Sequence, residues 1–207
     1  MRTPFITFRY AENLAEGCGF VYNIGEKVQG TTTPLFTIIL AILNILGISC
    51  MKGALLINLI SEGITSLIIY VMLKRFSSGN IAFILSLLYS LSPSNISWSI
   101  SGMETAFYTM VIAAAFFSLF KEKYYQSLIL GSIACLIRID GVGALGILFL
   151  FTVIFNKKFE FGIFILPLLI LSLWELFSFL YFGTLLPNSI TAKLALYSEH
   201  SLGYTGN

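Results

Sequence analysis

The chain is short of charge, of histidine and of aspartate, and each shortage excludes something. Charged residues make up 11% of its 207 residues against 57% hydrophobic ones. An ordinary soluble domain carries about 25% charge and about 45–50% apolar residues. A soluble fold of this length would lack the polar groups to cover its exterior; lipid as solvent removes the conflict. The net charge of +2, with no basic run longer than two residues, leaves no electrostatic footprint for nucleic acid. One histidine, His200, cannot anchor a metal cluster. Three widely spaced cysteines, Cys18, Cys50 and Cys135, suggest neither a disulfide framework nor a zinc site, and Cys135 reads as packing. Asp140 is the sole aspartate. Repeats, low-complexity tracts and cofactor motifs are absent, and no signal peptide is read in the mixed, polar stretch 1–33.

What is present is a series of apolar runs, separated by polar or charged residues. They cover 53–73, 80–91, 102–120, 124–137, 142–155 and 159–182, the last carrying Pro167. The run 34–47 spans ~21 Å as a helix, short of the ~30 Å hydrocarbon core, and is expected to be interfacial or re-entrant. The expected fold is therefore all-α, a polytopic transmembrane helical bundle with an N-terminal extracytoplasmic loop. Its parts are the loop at 1–33, the interfacial segment at 34–49, transmembrane helices at 50–183 and an extracytoplasmic tail at 184–207.

Orientation follows from three tight basic clusters, Lys74/Arg75, Lys121/Lys123 and Lys157/Lys158. If each long run crosses once and 34–47 does not, all three lie on one face, which the positive-inside tendency makes cytoplasmic. Residues 1–33, 92–101, 138–141 and those from 183 onward then share the opposite face. That face also holds Arg2, Arg9, Lys27, Lys52, Arg138 and Lys193, so the argument rests on dense clusters in short loops.

The polar stretches assigned to that face are distinctive: FITFRYAENLAEGCGFVYNIGEKVQGTTTPLF at 5–36, SGMETAFY at 101–108, RIDG at 138–141 and YFGTLLPNSITAKL at 181–194. In this order they resemble membrane glycosyltransferases of the GT-C superfamily that use polyprenyl-phosphate sugars, in the arabinofuranosyltransferase-like branch. The resemblance runs through nearly the whole chain. It implies many transmembrane helices, a large first extracytoplasmic loop, and an aspartate general base just before the FITFRYAEN-like stretch. Arg2 and Thr3 stand at those acidic positions. The family's preceding helix, later helices and C-terminal soluble part have no counterpart, so the chain is expected to be a fragment of a longer enzyme.

Glycosyl transfer of this kind needs a base for the acceptor hydroxyl, cations for the leaving phosphate and a route for the lipid tail. Glu104 and Asp140 are the candidate catalytic carboxylates. Ser101 to Glu104 also has capping-box spacing, with Ser101 capping the helix and Glu104 returning a bond to its backbone. Arg138 is the strongest phosphate candidate, by bidentate contact; it also fits a snorkelling arginine paired with Asp140. Arg9, Lys27, Asn188 and Lys193 complete the candidate substrate-binding set. Glu62 and Glu175 lie within apolar runs, where an ionisable residue is costly. Asn13, Asn23 and the glycines 17, 19, 25 and 30 point to a short helix followed by tight turns. Thr31–Thr33 are expected to cap the segment that Pro34 begins.

The expected function is transfer of a sugar from a polyprenyl-phosphate donor to a cell-envelope glycan, glycolipid or glycoprotein, at a cytoplasmic (inner) membrane. No cofactor or metal is required, and the partners are donor, acceptor and membrane lipid. The alternatives are a transporter of lipid-linked sugars lined by Glu62 and Glu175, and a non-catalytic truncated membrane protein.

Overall fold

A computed structural model describes residues 5–156 and 162–184 together with Pro187. Among them there are nine helices and no strand. They are α1 (Phe5–Ala15), α2 (Pro34–Ile45), α3 (Cys50–Leu73), α4 (Gly79–Ser90), α5 (Pro93–Ile100), α6 (Thr105–Phe120), α7 (Tyr124–Ile137), α8 (Gly141–Phe155) and α9 (Gly162–Phe182). The Lys157/Lys158 cluster and most of the 184–207 stretch lie outside the described residues.

By length and apolarity α3 and α9 can each cross a membrane, and α4 with α5 passes the same measure as one broken span bent by 54°. Two such helices, or three with the bent pair, mark a membrane protein. Outward side chains agree: Leu150, Ile154, Ile165 and Leu180 are all more than half exposed, as suits lipid solvent.

Local chemistry explains most helix ends. At the end of α1, Cys18 N–H donates to Asn13 O at 2.9 Å and Gly17 N–H to Leu14 O at 3.2 Å. Gly17 takes φ +78°, the left-handed cap that glycine adopts without strain. Pro34 opens α2 at its first position, where the missing N–H is no loss. The expected threonine cap is not made, because the Thr33 hydroxyl is within 3.2 Å of those of Thr7 and Thr31 instead.

The stretch 92–101, expected as a loop, is largely helical. Ser92 Oγ accepts from Asn95 N–H at 3.4 Å and Pro93 takes the first helical position, so the break restarts a helix. Asn95 Nδ2 donates to Tyr89 O at 2.7 Å, satisfying a carbonyl near the end of α4. The run of apolar residues stops at Pro93, but the helix resumes.

Contacts fix which helix ends meet. Asn58 on α3 reaches Met103 just before α6, while Phe76 beyond α3 meets Phe120 at the end of α6, so these helices run parallel. α7 returns antiparallel and brings Arg138 back to Glu104. α8 folds down against α7, where a Cβ on Gly141 would meet the backbone of Ala134 and Cys135 at 2.6 Å. α9 climbs again until Tyr181 touches the 17–33 segment.

One end of the array, the loop end, thus gathers the 17–33 segment, the α5–α6 break, the turn 138–140 and the close of α9. The opposite, lysine end carries the turns 74–78 and 121–123. α2 stays at the loop end: Phe36 meets Phe107 at 6.2 Å, and Leu40 and Ala41 pack with Cys50 and Ala54.

Candidate functional site

The loop end is built around one guanidinium. Arg138 leaves α7 in extended conformation, and Gly141 N–H closes the turn onto its carbonyl at 2.9 Å. Its Nη1 donates to Glu104 Oε1 at 3.1 Å, and its Nη2 and Nε donate to Asp140 Oδ2 at 2.7 and 3.3 Å. The Tyr108 ring lies 5.7 Å away. Burial alone would lower the Arg138 pKa; the Asp140 hydrogen bond and the negative charge of Glu104 outweigh it and hold it above its ordinary value. The three chemistry-bearing residues of the SGMET and RIDG motifs therefore meet. Two carboxylates on one cation leave the cluster with a formal charge of about −1.

Asp140 is largely exposed and Glu104 nearly buried, their side chains being 59% and 11% accessible. Asp140 is the more accessible of the two carboxylates. The capping box is not formed. Glu104 precedes the first residue of α6 but makes no capping bond, and Ser101 Oγ closes α5 by donating to Trp98 O at 2.8 Å. Gly102 at φ +72° turns the chain between them, and Glu104 bonds Arg138 instead.

The 17–33 segment is ordered by two side chains of α1. Tyr10 Oη donates to Val28 O at 2.6 Å and accepts from Gly30 N–H at 2.9 Å. Burial raises its pKa against the opposing effect of the Gly30 N–H. Asn13 Nδ2 donates to Val21 O at 2.8 Å and Tyr22 O at 2.9 Å. The segment is tied in turn to α9, as Phe20 N–H donates to Tyr181 Oη at 3.2 Å.

Between this segment and the helices lies a cavity of about 510 Å³, almost wholly apolar, lined by Leu14, Phe20, Ile38, Leu136, Trp174 and Tyr181 among others. Lys27 Nζ sits 4.8 Å from the centre of the ring of Tyr181, one of the lining residues.

Of the other predicted site residues, Arg9 is exposed on α1. Glu175 is exposed on α9 and Glu62 is half-buried on α3. Arg2, Thr3, Asn188 and Lys193 lie outside the described residues. Cys135 donates its thiol to Gly131 O at 3.3 Å within α7, a packing role. Tyr10 and Tyr181 lie within the distinctive stretches 5–36 and 181–194, but nothing local marks either of them, or Trp174, as a site residue; Tyr181 meets Phe20 across 161 residues.

No protein-family model matches the chain, and no curated protein or solved structure matches it either.

Proposed function

We propose that the chain belongs to a polytopic membrane glycosyltransferase that takes sugar from a polyprenyl phosphate at the extracytoplasmic face of a cytoplasmic membrane. The observation that carries this reading is the meeting of Glu104, Arg138 and Asp140 at the loop end of the array, which also holds an apolar cavity with Lys27 stacked on Tyr181 of its lining. The lysine end faces the cytoplasm, following the positive-inside tendency, and the 17–33 segment forms part of the outer loop.

In this reading the polyprenyl chain enters from the bilayer into the cavity against Phe20 and Trp174. Lys27 meets the phosphate, since Arg138 is already occupied by two carboxylates. Asp140 takes the proton of the acceptor hydroxyl, whose oxygen attacks the anomeric carbon as the bond from that carbon to the phosphate oxygen breaks. Polyprenyl phosphate leaves. Arg138 positions Asp140, and Glu104 positions Arg138.

The test is transfer by membranes containing the full chain, supplied with polyprenyl-phosphate sugar labelled in the sugar. Label should pass from the lipid to a glycan or glycolipid. Asp140→Asn should cut transfer by at least about 100-fold, the usual contribution of a general base, while polyprenyl phosphate still binds. Lys27→Ala should weaken that binding. Absence of transfer, or transfer untouched by Asp140→Asn, overturns the reading.

A further inference from the structure

Among the described residues, five buried side-chain oxygens have no hydrogen-bond partner: Asn13 Oδ1, Asn58 Oδ1, Glu62 Oε1, Thr105 Oγ1 and Ser127 Oγ. Three of them, on Asn58, Glu62 and Thr105, belong to the packed helices α3 and α6. Asn58 is fully buried, and its Nδ2 donates at 2.8 Å to the carbonyl of Met103, two residues before Thr105. Glu62 follows Asn58 by one helical turn, so both project from one side of α3. α3 and α6 run parallel here, so the climb from Asn58 to Glu62 keeps pace with that from Met103 into the first turn of α6.

Buried polar atoms nearly always have partners, and a group of orphans calls for an explanation. Rotating the Asn58 amide does not supply one, because it would set Oδ1 against the Met103 carbonyl, two acceptors face to face. The carboxylate sharpens the problem. Both ion pairs among the described residues belong to Arg138, so none reaches Glu62. An unpaired carboxylate inside a helix of membrane-crossing length is strongly disfavoured.

We propose that Asn58, Glu62 and Thr105 bind a sodium ion within the helix array. A carboxylate, an amide oxygen and a hydroxyl are hard donors, which suit alkali and alkaline-earth ions over softer metals. A single carboxylate selects a monovalent ion, since a divalent one would leave uncompensated charge in a low-dielectric interior. The break between α5 and α6 places non-helical backbone beside Asn58, and unwound backbone of this kind completes sodium shells within membranes. The site stands apart from the glycosyl-transfer reading, and either can fail alone.

Equilibrium binding of radioactive sodium to the full chain in detergent tests it, with choline holding ionic strength constant. The wild-type chain should bind sodium saturably, with unlabelled sodium competing and choline not. Glu62→Gln and Asn58→Ala should each weaken binding by about tenfold or more, a loss of about 1.4 kcal/mol. Thr105→Val, nearly isosteric, should weaken binding while circular dichroism shows unchanged helix content. The proposal is overturned if the wild-type chain shows no saturable binding, or if all three variants bind as it does. A protonated Glu62 carboxyl in infrared spectra, unchanged by sodium, also overturns it.

Discussion

The two ends of the helix array hold cations in opposite ways. At the lysine end, Lys74 lies 5.8 Å from the Tyr70 ring, Lys121 5.4 Å from Phe117 and Arg75 5.1 Å from Phe120. The lysines rest on rings four residues back along the same stretch of chain, and no carboxylate ion pair forms there among the described residues. At the loop end, Arg138 depends on Glu104, 34 residues away in sequence. Lys74 and Lys121 thus need only their own stretch of chain, while Arg75 rests on Phe120 of α6. Building a polar cluster needs two helix ends delivered to one place, so the loop end is where tertiary changes should be felt.

The largest effect should come from Gly141→Ala, because the added methyl meets backbone that cannot step aside. We expect a loss near the upper end of the about 1–3 kcal/mol of overpacking, measured by denaturant unfolding in micelles. Gly143→Ala, with open space at its Cβ, is the control and should stay within about 0.5 kcal/mol. Equal losses at both positions would show that the α7–α8 contact does not set the Arg138 turn.

Glu104→Ala comes next, with a cost of about 1–3 kcal/mol for removing a charge-assisted hydrogen bond while Arg138 keeps Asp140. A double-mutant cycle with Arg138→Ala should give a coupling above about 0.5 kcal/mol. Zero coupling would place the two ends of the molecule on the same footing.

The smallest effect belongs to the lysine end. Glu122 sits at φ +59° just past α6, where Lys123 N–H donates to Ser118 O at 2.9 Å, a capping turn usually closed by glycine. Glu122→Gly should raise stability by up to about 1 kcal/mol, as relief of left-handed strain offsets glycine's greater unfolded entropy. A loss on unfolding would mean that Glu122 makes a contact worth more than that strain.

Much of the helix order could be read from apolar run length and charged punctuation: the runs 53–73, 124–137 and 142–155 each correspond to a helix within three residues at either end. Helix resumption after Pro93 was not legible, because Ser92, Pro93 and Asn95 read equally as loop and as helix start. The Ser101–Glu104 spacing misled for a related reason. A capping box is a local pattern, and Arg138 competes for the same carboxylate from a distant helix. Asn58 and Thr105 gave no signal at all, since a lone amide or hydroxyl in an apolar run is an ordinary packing residue until its neighbours are known.

The sequence by itself determined that this chain is helical and made for lipid, because composition and run length act through solvation and need no partner. Only the tertiary structure decided which ends share a surface, that Arg138 is held between two carboxylates, and that Lys27 stacks on Tyr181. Those facts depend on helix direction and close backbone approach, as at Gly141 against α7, which no local pattern of residues encodes.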